Sequence, residues 1–405
     1  MLGGAVGSFI SGYLVGLLGE RQVQFIVTFP STLSWLFIIF AKSTVTLYVG
    51  RFFCGFCWGI IMPASAIYIA ELSSPDKRGR FLALTALEQP MGTFLCYGLG
   101  TLVNWRMVAV AGSCIPTLQM IWIAFCPESP VWLIQHSKEE EAKKSLTWFR
   151  GTSRDIDKEF ALISENVEKT RNLPVFRLIF SKEYLLPVTI VVAAYFFMQF
   201  CGFPALISYT LLIFRRADIT FISDSVAVNI VGVNLVALGI VALLLIDNLG
   251  RRPLMLTSTA IAATSQIGMA CYFYLLWTHA VTSELNYLPF IFFQVFVLGF
   301  QIGINNVGMV LLGELFPSYI RAHAAGMVNG LSLCFIVAVT ELFLPLSEAS
   351  HYFGGFLFFG INCLVDFVFM YFLLPETKGL RLEEVENGFC LNTVENSQKE
   401  DHHPL

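Results

Sequence analysis

Eleven long apolar runs fill most of this 405-residue chain, and each is long enough to cross a lipid bilayer as one helix. Only 13% of the residues are charged, about half the fraction usual in a soluble domain, whereas 56% are hydrophobic. Because lipid offers no partner to backbone N–H and C=O groups, such runs fold as helices. The predicted fold class is therefore an all-α polytopic membrane protein. The runs cover residues 2–19, 22–41, 45–70, 81–103, 107–126, 184–213, 225–246, 254–277, 288–312, 323–346 and 353–374.

The loop D-N-L-G-R-R-P-L, residues 247–254, separates two of these runs and orients them. Lys and Arg resist translocation, so a short loop that carries Arg251 and Arg252 is predicted to be cytoplasmic. Counting outward from this loop, 20 of the 25 Lys and Arg residues fall on its side of the membrane and four fall on the other. The asymmetry predicts a multi-pass protein of the cell membrane, whose polar segment 136–182 and C-terminal tail lie in the cytosol.

Three motifs occur twice in the same order along the chain. The pairs are G-E-R at Gly19–Arg21 with G-R-R at Gly250–Arg252, E-x6-R at Glu71–Arg78 with Glu314–Arg321, and P-E at Pro127 with P-E at Pro375. Their offsets, 231, 243 and 248 residues, are nearly constant, which indicates two parallel halves. The second half has six runs and the first has five, so the repeat predicts that the first half lacks its first helix. The expected domains are a first bundle at 1–135, linker helices at 136–182, a second bundle at 183–376 and a tail at 377–405.

These motifs, with several others, resemble those of one family, the sugar porters of the major facilitator superfamily. The matching segments are G-R-F (50–52), Y-I-A-E-L-S-S-P-D-K-R-G (68–79), W-R (105–106), P-E-S-P-V-W-L (127–133), D-N-L-G-R-R-P-L (247–254), E-L-F-P-S-Y-I-R (314–321) and P-E-T-K-G-L-R-L-E-E-V-E (375–386). The resemblance covers nearly the whole chain and is nearest to the facilitated glucose and trehalose transporters. It implies the major facilitator fold of two helical bundles, here with five plus six spans.

In this family the paired acidic and Arg motifs form ion pairs that hold the two halves together at the cytoplasmic side. The resemblance therefore implies a gating role for Arg21, Arg51, Glu71, Arg78, Asp247, Arg251, Arg252, Glu314 and Arg321. An Arg side chain binds a carboxylate or the carbonyls at a helix C-terminus, which suits such a gate. The alternative is a static anchor that only enforces topology. Glu20 stands where the family has an Arg, and the first copy is expected to be weaker or differently paired.

A sugar has many hydroxyl groups, so its site needs several neutral hydrogen-bonding side chains and an aromatic ring. The family places Q-Q-x-x-G-I-N on the first helix of the second half, and here residues 198–204 read M-Q-F-C-G-F-P. The matched positions and the polar residues of nearby runs give the candidate substrate residues Gln199, Tyr209, Gln301, Asn305, Asn306, Asn329, Ser332 and Glu88. Gln301 and Asn305 are four residues apart and share a helix face. The alternative is hydrogen bonding of buried amides between helices.

Four charged side chains fall inside predicted runs, where each is costly in lipid. Arg51 matches an Arg that pairs with an acidic residue of the first helix in proton-coupled relatives. Glu88 lies in the middle of a run where the family carries a ligand Gln, and its structural and functional interpretations both stay open. Asp366 and Glu341 are expected to be structural charges with a partner.

The resemblance implies transport of a sugar or related polyol by alternating access, either facilitative or proton-coupled. The expected partners are a small sugar-like solute, the lipid bilayer and, as a candidate coupling ion, protons; no nucleic acid, metal or cofactor is expected. The missing helix and the altered pocket favour a second hypothesis, a non-transporting or truncated relative that acts as a sensor. A carrier for another organic solute is the third. No Ser/His/Asp, Cys/His or metal-ligand cluster points to an enzyme.

Overall fold

The structure is a computed structural model, and it describes residues 1–73, 81, 84–151, 156–170, 181–219, 221–280, 285–316 and 318–374. Within these ranges the backbone alone is described at residues 166, 169–170, 182–183, 246–248, 313–314 and 318–322. The described residues form helices joined by short turns and include no strand. The all-α fold predicted from the apolar runs is therefore confirmed.

The helices follow the predicted runs closely, with short additional helices in the polar linker. In the first part of the chain they are α1 (Leu2–Leu18), α2 (Glu20–Ile39), α3 (Thr44–Leu72), α4 (Glu88–Leu102), α5 (Trp105–Phe125), α6 (Pro130–Gln135), α7 (Glu139–Arg150) and α8 (Ile156–Thr170). In the second part they are α9 (Lys182–Phe200), α10 (Phe203–Ser208), α11 (Thr210–Arg216), α12 (Asp224–Leu249), α13 (Arg251–Trp277), α14 (Leu288–Gly299), α15 (Asn305–Glu314), α16 (Ser318–Ala349) and α17 (Phe353–Leu373). One turn of π-helix, Phe300–Ile304, joins α14 to α15.

The lengths and surfaces of these helices suit a bilayer. Within the described residues, nine helical stretches are long and apolar enough to cross a membrane, and two further predicted runs coincide with the shorter helices α1 and α4. Large apolar side chains lie on the outside near helix ends, as at Trp122, Phe125 and Phe372, which are 76%, 78% and 77% exposed. Contiguous surfaces of this kind are unfavourable in water and favourable in lipid. The chain is a multi-pass membrane protein.

The described residues group into two compact units. The first unit comprises Met1–Ala86, Leu102–Leu178 and Ala322–Cys334. In it α3 packs against both α1 and α2, and α2 also packs against α5. Val23, Cys57 and Ile60 are buried together between these helices. α1 and α3 come close because small residues face each other: a methyl group on Gly59 would collide with the carbonyl of Gly4.

The second unit comprises Leu87–Thr101, Ile179–Arg321 and Phe335–Leu405. In it α13 packs along α17 and against α14. Aromatic rings fill the contacts, with Phe273 stacked on Phe356 at a centroid distance of 5.2 Å and Phe343 on Phe359 at 6.0 Å. Lipid is as apolar as these rings, so they stabilise the unit through close packing and not by leaving water.

One predicted run, 184–213, is not a single helix. α9 ends at Phe200, and α10 begins at Phe203 after a two-residue turn. Pro204 explains the break, because proline has no N–H to donate and its ring would clash with the carbonyl of residue 200 in a continuous helix. The predicted run is therefore one candidate membrane span, Tyr184–Ser208, whose helix is broken at residues 201–202. Gln199 and Tyr209 consequently lie on different helical segments.

The predicted run 81–103 is interrupted as well. Residues 86 and 87 form a turn, and the helix that follows begins at Glu88. Pro90 favours this start, because its missing N–H costs nothing in a first helical turn. Glu88 is thus an exposed residue in the first turn of α4.

The polar linker forms short surface helices, as predicted. The side chain of Ser129 accepts hydrogen bonds from the backbone of Val131 and Trp132 and so caps α6. α7 and α8 pack against each other, and Arg150 forms an ion pair with Glu159 at 2.9 Å. The linker helices pack onto the first unit through α6, which contacts α3.

Candidate functional site

The two copies of the G-x-R motif form the same tight turn between consecutive helices. Gly19 joins α1 to α2 with φ 89° and ψ 156°, and Gly250 joins α12 to α13 with φ 89° and ψ 163°. This backbone conformation is essentially restricted to glycine. The matching angles show in three dimensions the repeat that the motif offsets predicted.

The Arg that ends each motif performs the same task in its own unit. Arg21 donates from Nε to the carbonyl of Ile123 at 3.2 Å and from a terminal nitrogen to the carbonyl of Ala124 at 2.8 Å. Arg252 donates to the carbonyl of Tyr371 at 2.6 Å and lies over its ring. Both cations thus cap the C-terminal turn of a helix, α5 or α17, where they complement the helix dipole. These contacts anchor helix ends, and the gating role of both Arg residues stays a prediction.

Glu128 of the P-E-S-P motif caps the N-terminus of α2 from outside the helix. Its carboxylate accepts hydrogen bonds from the backbone N–H groups of Arg21 at 2.9 Å, Gln22 at 3.2 Å and Ser129 at 3.1 Å. The first N–H groups of a helix have no partner inside the helix, and a carboxylate satisfies them well. Glu128 was not among the predicted site residues, although the duplicated P-E motif had drawn attention to it.

Further hydrogen bonds tie the linker to the same place. The hydroxyl of Ser129 donates to Glu71, and the indole of Trp132 donates to the carbonyl of Gly16 at 3.3 Å. We refer to Arg21, Glu71, Glu128, Ser129 and Trp132 as the capping network. It brings two predicted gating residues, Arg21 and Glu71, together in the first unit.

Glu20 occupies the position at which the two motif copies differ most. It is 4% exposed, and its Oε2 has no hydrogen-bond partner within the described part of the chain. The carboxyl groups of Glu71 and Glu128 are close enough to act on it electrostatically. The first copy is therefore differently paired, because a buried carboxyl group stands where the second copy has Arg251.

The remaining predicted gating residues are only partly described. The side chains of Arg78, Asp247, Glu314 and Arg321 lie outside the described residues. Arg251 is half-buried at the start of α13. Arg51 is exposed, and no described carboxylate lies within ion-pairing distance of it. Their gating roles stay predictions.

Three of the predicted substrate residues form a buried group in the second unit. The amide of Asn305 donates to Oε1 of Gln301 at 3.1 Å, and Asn306 donates to the backbone carbonyl of Gln301 at 2.5 Å. Gln301 in turn donates to the carbonyl of Leu235 on α12 at 3.2 Å. All three side chains are buried. The π-helical turn that contains Gln301 widens the helix at this point, as such turns often do at functional sites.

A second amide pair, whose residues were not among the predicted site residues, connects α12 with α14. Asn234 on α12 donates to Gln294 on α14 at 2.8 Å. We call the two hydrogen-bonded groups together, Asn234 with Gln294 and Gln301 with Asn305 and Asn306, the amide cluster; among the described residues no hydrogen bond joins one group to the other. The signal for Asn234 and Gln294 was present in the sequence, since an amide in an otherwise apolar run is costly unless bonded.

Some polar atoms of the amide cluster are left without a partner. Oδ1 of Asn305 and Nε2 of Gln294 are buried and have no hydrogen-bond partner within the described residues. A buried, unpaired amide atom is destabilising. Within the described residues, Asn305 thus offers an acceptor and Gln294, about three helical turns away, a donor, and each could bond a different hydroxyl group.

The interrupted helices lie beside this cluster. Phe203, the first residue of α10, stacks on Phe300 at a centroid distance of 3.7 Å. Tyr97 of α4 donates to the carbonyl of Ile207 at 2.7 Å and lies 3.1 Å from the hydroxyl of Thr210. Irregular helix segments with exposed backbone groups are a common way to build a binding site in a membrane bundle.

The other predicted substrate residues are more dispersed. Gln199 is buried on α9, which packs against α15, the helix that begins at Asn305. Tyr209 is half-buried and stacks on Phe343 at 5.6 Å. Asn329 and Ser332 belong to the part of α16 that groups with the first unit. The structure thus gathers Gln301, Asn305 and Asn306 into one hydrogen-bonded group.

Comparisons with known proteins agree with this architecture. A family model described as "Sugar (and other) transporter" matches residues 1–389. The facilitated trehalose transporter Tret1 of Bombyx mori is 32% identical over 387 residues, which are 95% of this chain and 76% of that protein. Tret1 of Polypedilum vanderplanki is 32% identical over 389 residues, 95% of this chain and 77% of that protein.

Solved structures show the same fold. The proton:xylose symporter XylE, bound to 6-bromo-6-deoxy-D-glucose, superposes with a TM-score of 0.80 at 22% identity. The match covers 96% of this chain and 87% of that one. At this level of identity the similarity establishes the fold alone.

Proposed function

The chain belongs to the sugar transporter family of the major facilitator superfamily, and from this premise we propose that it carries a sugar or a related polyol across a membrane by alternating access. Facilitative and proton-coupled transport both fit the family. The trehalose transporters among its relatives make trehalose the first solute to test, followed by hexoses and polyols.

The observation that carries the proposal is the amide cluster at the interrupted helices of the second unit. Neutral amides and a tyrosine are suited to a ligand that has hydroxyl groups and no charge, because each hydroxyl must regain the hydrogen bonds it had with water. Asn305 offers a free acceptor and Gln294 a free donor. We assign Gln199, Tyr209, Gln301, Asn305 and Asn306 to this site.

We also propose that the capping network and its second copy lie at the cytoplasmic side of a cell-membrane protein and act in gating. The excess of Lys and Arg on that side supports the orientation. In this proposal the linker and the C-terminal tail are cytosolic. Arg21 and Arg252 hold the helix ends of each unit in register while ion pairs between the motifs break and reform.

Uptake measurements test the transport proposal directly. Cells that lack endogenous sugar transporters, expressing this chain with its native termini, are given labelled trehalose, hexose or polyol. We expect saturable uptake of at least one solute above the empty-vector level. Uptake that stays at background for every solute, with the protein present at the surface, would contradict the proposal.

A matched pair of Asn variants tests the site. N305A removes the free acceptor, and we expect KM to rise roughly fivefold, because a neutral hydrogen bond contributes about 1 kcal/mol. N362A is the control: its amide donates to the carbonyl of Phe358 in its own helix at 2.9 Å. Equal effects of the two variants on KM would remove Asn305 from the site.

A further inference from the structure

Asp366 is a carboxyl group in the middle of a predicted membrane span that the transport site does not use. It lies on α17, is 2% exposed, and its Oδ1 has no hydrogen-bond partner within the described residues. No described Lys, Arg or His forms an ion pair with it. The expectation that Asp366 is a structural charge with a partner is therefore wrong for the described part of the chain.

The groups that face Asp366 carry no charge that could balance a carboxylate. On its own helix the nearest titratable group is the thiol of Cys363, and at the end of α9 it is the thiol of Cys201, both buried. From α13 the neutral amide of Gln266 donates to the carbonyl of Cys201 at 2.8 Å. Glu341 and Glu348 of α16 are exposed.

An ionised carboxylate without a partner in such surroundings is far less stable than the neutral acid. We propose that Asp366 is a proton-binding site, which holds a proton in the described conformation and releases it when the junction of α9 and α10 opens to water. The reaction is the dissociation of the carboxylic acid into a carboxylate and a proton, and no other reactant is needed.

The position of Asp366 connects this site to the amide cluster. Cys201 directly follows Phe200, the last residue of α9, and precedes the break before Phe203. Phe203 stacks on Phe300, which is followed by Gln301 of the cluster. A movement of the α9–α10 junction therefore changes the surroundings of Asp366 and of the amides together. This coupling rests on the proposed transport function, whereas proton binding itself does not.

Infrared spectroscopy of the purified, reconstituted protein tests proton binding without any transport. The C=O stretch of a carboxylic acid is well separated from the stretches of a carboxylate. We expect the difference between wild type and D366N at neutral pH to show an acid band. A carboxylate band in its place would overturn the proposal. Should D366N not fold, labelling aspartate with carbon-13 in the wild type shifts the same acid band only if it comes from an aspartate, and an acid band that does not shift would overturn the proposal.

Proton flux tests the coupling in proteoliposomes that contain a pH-sensitive dye. We expect the transported sugar to bring protons with it in wild type and in E341Q, a control that changes an exposed acid of α16. In D366N we expect sugar counterflow to persist at the wild-type rate while proton movement falls to background. Protons that still accompany sugar in D366N, or sugar that moves without protons in wild type, would overturn the coupling.

The two measurements separate this inference from the proposed function. If wild type moves no sugar, the transport proposal fails, and the infrared band still decides whether Asp366 holds a proton. If sugar moves and the acid band is missing, the proton site fails while transport stands.

Discussion

The turn at Gly19–Arg21 and the turn at Gly250–Arg252 have the same backbone and the same terminal Arg, yet they differ in the middle residue. Both glycines adopt φ 89°, and both Arg side chains cap the last turn of the final helix of their bundle. Between them the first copy has the buried carboxyl of Glu20 and the second has Arg251. The glycine and the terminal Arg, which the turn and the helix cap require, are the same in both copies. The middle residue is acidic in the first copy and basic in the second.

This difference indicates that the two residues shared by both copies, the glycine and the terminal Arg, are required by the fold itself. A tight turn needs glycine, and the carbonyls at a helix end need a cation, in either half. A gating ion pair requires in addition that both partners keep their sign, and Glu20 breaks that requirement. The first copy thus anchors the end of α5 and has a buried acidic residue at its centre.

The largest expected effect comes from placing a side chain at the turn itself. G19A would put a methyl group 2.7 Å from the carboxyl carbon of Glu128 and force alanine into a conformation restricted to glycine. We expect the free energy of unfolding in mixed micelles to fall by about 3 kcal/mol. G250A carries the same backbone strain and serves as the matched variant. A loss in G19A that is no larger than in G250A would show that Glu128 moves aside freely.

Removing the cap of α2 is expected to have the next largest effect. E128A deletes an acceptor that serves three backbone N–H groups, and we expect a loss of about 2 kcal/mol in the free energy of unfolding. E140A, a change of an exposed carboxylate on α7, is the control and should be close to neutral. Near-equal stabilities of the two variants would show that water replaces the cap at no cost.

The paired Arg residues allow the two copies to be compared directly. R21A and R252A each remove the cation that caps a helix end, and we expect each to cost about 1 kcal/mol because both side chains are partly solvated. K42A changes an exposed cation and controls for the loss of charge alone. If only one of the Arg variants is destabilised, the two copies do not perform the same task.

The smallest effect is expected at the exposed ion pair of the linker. Lys143 and Asp157 lie 2.8 Å apart, and the ammonium group lowers the pKa of Asp157 while the carboxylate raises the pKa of Lys143. The contribution of Asp157 is present above its unfolded pKa and is lost as the pH falls through its lowered folded pKa. We therefore expect K143A to leave the melting temperature unchanged within experimental error at neutral pH. The same is expected in acid and in high salt, where the ion pair is protonated or screened. A clear shift in high salt would contradict this ranking.

Much of the fold could be predicted because lipid enforces it. Apolar runs must be helical in a bilayer, so the bounds of α2, α5 and α13 follow from the sequence within a few residues. The duplicated G-x-R motif predicted two related halves, and Gly19 and Gly250 adopt the same φ of 89°. The breaks before α4 and α10 were not predicted, although Pro90 and Pro204 lie beside them. The runs were assigned from hydropathy, and hydropathy does not reflect the hydrogen-bond donor that proline lacks.

The candidate site could be predicted less well. Its polar residues were recognisable as amides in apolar surroundings, but the partner of each amide was not. Gln301 proved to bond to Asn305 and to the backbone of α12, and Asn234 and Gln294 were overlooked. A hydrogen bond depends on distances of a few tenths of an ångström, and these are set by helix packing.

By itself, the sequence determined that this protein is a helical membrane protein of two related halves, since hydropathy and motif spacing are local properties read along one dimension. The tertiary structure alone decided that Glu128 caps α2, that Glu20 is buried, and that Asp366 has no described partner for its Oδ1. Burial and pairing are properties of residues far apart in the chain. The free energy of a charge or an amide depends on which distant groups the fold brings beside it.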